Sequence, residues 1–172
     1  MTGQRKVPSF PLIAEPGDLD ALTLWAESIF LEAESEPFLG KLGVGYALRT
    51  RCDEWKLTPH AAILGPDGKA YGDGRPFEVL SCWNDDYRDR ARARLAAADG
   101  SELEDAWRAA AAALWRLLPS PVADATHYLN VPLTLKIRGG TLPSWAAAPE
   151  HSDVLDLGKV REMIGRHTFM RA

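Results

Sequence analysis

Apolar residues recur at three- and four-residue steps from Leu22 through Trp25, Ala26, Ile29 and Ala33, a spacing that predicts an amphipathic helix. Asp18 or Asp20 offers its N-cap, and Glu36 stops it near Ser35 because a residue before proline is pushed out of the helical region. Leu42, Val44, Ala47 and Leu48 predict a second helix from Pro37 or Leu39 to Arg51. Gly43 and Gly45 on it are poor helix formers, tolerated where another backbone comes close. Residues 56–81 are rich in Gly, Pro and Asp and read as loop with brief strand or helix pieces. An arginine-rich helix follows near Tyr87–Ala98. Ser101 and Glu104 then form a capping box before a helix whose stripe is Leu103, Trp107, Ala110, Leu114 and Leu118. Beyond Pro119–Pro121 the texture becomes strand-like, in "ATHYLNVPLTLKIRGG" and again in "GRHTFMR". The pattern predicts an α+β fold, mainly helical, with an extended arm over 1–17 and a single domain over 18–172.

Composition narrows the functional classes. At 172 residues the chain has room for one full core, and 46% hydrophobic with 26% charged residues is the balance of a globular protein. A net charge of -4 argues against a nucleic-acid partner. No apolar run approaches the roughly 20 residues of a membrane span. Pro8, Pro11 and Pro16 interrupt any signal-peptide core, so a cytoplasmically made chain without a signal peptide is expected.

Four glutamates lie between Glu27 and Glu36. Extending the apolar spacing of the first helix reaches Glu32 and then Glu36, while Glu27 and Glu34 fall on the far side. A carboxyl group on a buried stripe holds its proton to higher pH, as a general acid for glycosidic cleavage requires. The alternative is structural: acids in a last helical turn often bend to solvent or bind loop amides, a role that suits Glu36 beside Pro37.

The segment "LEAESEPFLGKLGVGYALRTR" resembles the signature of the spore-cortex-lytic (SleB-type) cell-wall hydrolases. There a Gly-Glu-Ala-Arg-Gly-Glu segment ends one helix and a Gly-x-x-Ala-Val-Ala run ending in Asn-Arg follows. Four further pieces recur in order: "SCWN" at Ser81–Asn84, "ATHYLN" at Ala125–Asn130, "PSWA" at Pro143–Ala146 and "IGRHTF" at Ile164–Phe169. The resemblance implies a lysozyme-like helical core with a small β subdomain. It implies cleavage of peptidoglycan as a lytic transglycosylase or muramidase, with Glu32 as catalytic acid and base and no cofactor. Substrate contacts fall on Trp83, Asn84, His127, Tyr128, Asn130 and Trp145. Glu36, Arg51 and His167 stand as structural residues beside the site. Leu31, Glu34–Ser35 and Thr50 depart from the family pattern. The partners implied are glycan strands and, for delivery through a holin or on a phage-like particle, phage proteins.

Other chemistries are open. Cys82 before a helix, with His127 and Asn130, suggests a cysteine peptidase acting on the wall's peptide stems. His127, His151 and His167 are candidate zinc ligands for an amidase, though without close-pair spacing. Trp83, Tyr128 and Trp145 serve equally well as sugar-stacking faces or as core. An inactive wall-binding module would leave Glu32 on the apolar stripe without compensation.

Overall fold

The computed structural model describes residues 16–65, 80–83 and 85–172. The arm expected over 1–17 lies outside them up to residue 15, and Pro16–Asp18 form a 3-10 turn.

Helix α1 (Ala21–Ala33) begins where Asp20 accepts the N–H groups of Leu22 and Thr23. It is buried on nearly every side, with Leu24, Trp25, Ile29 and Phe30 fully enclosed. Helix α2 (Phe38–Trp55) starts after Pro37 and runs one turn beyond the predicted end at Arg51. Its glycines mark close approaches. A Cβ on Gly43 would lie 2.6 Å from the Phe169 ring, and one on Gly45 2.9 Å from Ala113. Short α3 (Ala61–Leu64) falls within the predicted loop, of which residues 66–79 are outside the description. A 3-10 turn, Ser81–Trp83, leads to α4 (Asp85–Ala97).

Helix α5 (Gly100–Trp115) starts earlier than the capping box predicts. Asp99 is the N-cap, accepting from the backbone of Ser101 and Glu102, so Ser101 sits inside the first turn. Its buried face is alanine-rich (Ala106, Ala109, Ala110, Ala113), letting it lie close against α1 and α2. The helix ends at Arg116 in a left-handed cap, leaving Leu118 exposed instead of on the stripe.

The strand expected through "ATHYLNVPLTLKIRGG" is corrected. Only β1 (His127–Leu129) is extended, and α6 (Val131–Ile137) follows at once. Asn130 caps it by accepting from Leu133 N–H, and Pro132 pre-sets the first turn. Strands β2 (Ala147–Ala148) and β3 (His151–Leu155) form an antiparallel pair. Strands β4 (Val160–Ile164) and β5 (His167–Met170) join β1 in an antiparallel sheet of order β1-β5-β4.

Strand alternation then sorts the side chains. Tyr128 lies opposite Phe169, and together with His167 they face the helices. Leu129 and Met170 turn instead to a second cluster with Leu142 and Ala146. The chain is thus α+β, and among the described residues no helix is long and apolar enough to cross a membrane.

Candidate active site

The C-terminal end of α1, one side of α6 and the β4–β5 turn line a cavity of about 450 Å³. Glu32, Glu36, Arg94, Tyr128, Asn130 and His167 are among the residues that line it. Glu32 is half-buried, yet enough protein surrounds its carboxyl for desolvation to dominate and raise its pKa. Hydrogen bonding from Cys82 and the charges of Arg51 and Arg94 oppose the rise.

Glu36 has a different task. It is buried and accepts the Arg166 N–H through both oxygens, at 3.1 and 2.9 Å. His167 Nδ1 lies 3.7 Å away, and Glu36's charge partly offsets the desolvation that lowers the His167 pKa. The carboxylate therefore ties the end of α1 to the β4–β5 turn, the loop-bonded role open to it in the sequence. Lys41, buried in α2, donates to the carbonyls of Glu34 (3.0 Å) and Glu36 (2.7 Å), closing the same helix end.

The placement of Glu27 corrects the helical-wheel reading. It lies not on a solvated far side but in the core, 3% exposed, because α1 is covered all round. Glu34 is half-buried and bound to Arg94 at 2.6 Å.

The remaining sequence candidates divide. Tyr128, Asn130 and His167 join Glu32 at the cavity, with Asn130 also capping α6. His127 and Trp145 do not line it: their rings stack with centroids 4.7 Å apart on the other side of β1. Burial, with Arg51 and Arg171 nearby, pushes the His127 imidazole down to about 3. Trp83 is buried in the core, its Nε1 donating to Ser28 Oγ at 2.8 Å. That environment suits packing and offers no ring face to a sugar. Asn84 lies outside the described residues. Arg51 is buried, donates from Nε to the Thr126 carbonyl at 2.6 Å and rests over the Trp55 ring.

The rival chemistries receive little from this geometry. Burial, with the Glu32 carboxyl adding to it, holds the Cys82 thiol well above its ordinary range. His127 bonds Thr126 Oγ1 instead. Among the described residues no three His, Cys, Asp or Glu side chains gather as a metal-binding group. Both cysteines are free thiols.

Sequence reasoning missed Arg94 and Arg166, which bring positive charge to the cavity. Arg94 stood in an arginine-rich run with nothing to single it out. No family model matches the chain, and no curated protein or solved structure is significantly similar to it.

Proposed function

We propose that this chain cleaves the glycan strands of peptidoglycan between N-acetylmuramic acid and N-acetylglucosamine, with Glu32 as the acid. The observation that carries the reading is a carboxyl with a raised pKa opening into a cavity walled by Tyr128, Asn130 and His167. The likeness of five ordered motifs to SleB-type hydrolases supports it, and the helical core is read as lysozyme-like on the same ground.

Glu32 donates its proton to the glycosidic oxygen as the bond to the anomeric carbon breaks. Hydrolysis by water or through a covalent intermediate ordinarily needs a second carboxylate on the opposite side of that bond. Among the described residues, the cavity's acids are Glu32, Glu34 and Glu36, all from the end of α1. Glu34 is bound to Arg94 and Glu36 to the Arg166 amide. Asp124 pairs with Arg161 at 2.7 Å and does not line the cavity; the side chains of Asp85 and Asp86 fall outside the description. A single acid/base favours intramolecular attack. The sugar's own 6-hydroxyl adds to the anomeric carbon and passes its proton to Glu32, leaving a 1,6-anhydro-muramic end. We therefore read the chain as a lytic transglycosylase.

Glu32→Gln keeps the size of the side chain and supplies no transferable proton. Loss of turbidity of a cell-wall suspension should slow at least about 100-fold with the variant still folded. A folded variant retaining most activity would remove Glu32 from the mechanism.

A further inference from the structure

Two arginines line the cavity, and they are committed differently. Arg94 is spent inside the protein. It donates to Glu34 Oε2 from Nε at 3.0 Å and from a terminal nitrogen at 2.6 Å, and to the Leu31 carbonyl at 2.9 Å. Arg166 is held by its backbone instead, since Glu36 accepts its N–H through both oxygens and so fixes where the side chain leaves the β4–β5 turn. The residue is exposed, and among the described residues no carboxylate pairs with its guanidinium. That group reaches Ser35 Oγ at 3.5 Å, beyond the usual range of a strong hydrogen bond. The wall that α6 supplies is apolar. Leu133 and Ile137, one helical turn apart, are 52% and 72% exposed and line the same cavity. A ligand matched to both walls carries methyl groups and a carboxylate close together.

We propose that Arg166 binds a carboxylate on the lactyl substituent of the muramic unit, so that the cavity selects glycan by that charge. This rests on the reading of peptidoglycan strands as the substrate. N-acetylmuramic acid brings both features: acetyl and lactyl methyl groups for Leu133 and Ile137, and an acid on the lactyl ether for Arg166. In strands without stem peptides the carboxylate is the lactyl group's own. In peptide-bearing strands that group is an amide, and the carboxylate comes from an acidic residue of the stem. A guanidinium suits either source, being planar, always charged and able to present two parallel N–H donors to one carboxylate. Holding the backbone at Arg166 reduces the ordering that binding requires. Salt should weaken the contact, because the residue is exposed.

The test is calorimetric binding in a Glu32→Gln background, which keeps the ligand uncleaved, with Arg166 intact or replaced by Gln or Lys. Three tetrasaccharides of alternating N-acetylglucosamine and N-acetylmuramic acid serve as probes: one with free lactyl carboxylates, one with these converted to methylamides, and one bearing stem peptides. Arg166→Gln should weaken binding of a carboxylate-bearing probe about 10-fold and leave the methylamide unchanged. Arg166→Lys should recover part of the loss. A loss confined to the free-acid probe assigns the lactyl carboxylate, and a loss with the peptide-bearing probe assigns the stem. The backbone N–H that Glu36 accepts is kept in both variants, and an unchanged thermal midpoint confirms the fold. The proposal is overturned if neither carboxylate-bearing probe distinguishes folded Arg166→Gln from the arginine chain. The proposed function fails separately: a chain with Arg166 intact that binds none of the three probes sinks the glycan reading itself.

Discussion

Glu27 and Glu32 share a helix and a cause of perturbation, yet Glu32 lines a cavity while Glu27 lies in the core. Desolvation, with the charge of Asp20 adding, pushes the Glu27 carboxyl up to about 8, and its buried Oε1 has no hydrogen-bond partner among the described residues. Glu32 lines the cavity. The consequence for Glu27 is a stability cost that grows with pH. In the unfolded chain it ionises near 4.5, whereas in the folded chain it keeps its proton to about 8. Stability contributed at low pH is therefore lost between those values, at no more than about 1.4 kcal/mol per pH unit. Glu27→Gln removes the ionisation without changing the shape. The thermal midpoints of the two proteins should nearly coincide at pH 5 and separate by at least about 3 °C in the variant's favour at pH 8. Parallel profiles would mean that Glu27 is solvated. With Glu32 as the proposed acid, its protonated form is the active one, so activity should fall as pH rises through its raised pKa.

Among the elements, the junction between α1 and the β4–β5 turn holds the two walls of the cavity together. Gly165 is the residue that permits it. Its φ is +59°, and a Cβ there would lie 1.7 Å from Glu36 Oε2. Gly165→Ala therefore meets both the left-handed backbone and the carboxylate that accepts Arg166 N–H. A loss of about 2–4 kcal/mol in urea unfolding is expected, with activity falling alongside. An unchanged midpoint would show that the turn is free to reorganise. Helix α1 and its break at Pro37 were legible because cap, period and proline agreed. Helix α6 was not. Asn130 and Pro132 announced it, but alternation in the preceding residues dominated the reading, and only three of them form a strand. Glu27 was misplaced because a single-face wheel assumes one buried side, and α1 has several.

Across the whole molecule, the sheet sorts the candidate residues. One face of β1 and β5 presents Tyr128 and His167 to the cavity, and the other turns Leu129 and Met170 to the second cluster, which Trp145 packs against beside His127. Motif order in the sequence could nominate all of these residues but could not divide them, since the division depends on register and on which face the helices cover. In the proposed chemistry one acid, without a carboxylate opposite, breaks the glycan. Mass spectrometry of fragments released from purified peptidoglycan in heavy-oxygen water tests this. Expected are 1,6-anhydro-muramic ends that carry no heavy oxygen and lack the mass of one water, and no such fragments from Glu32→Gln. Reducing muramic ends bearing heavy oxygen, or intact glycan strands with cut peptide stems, would contradict it.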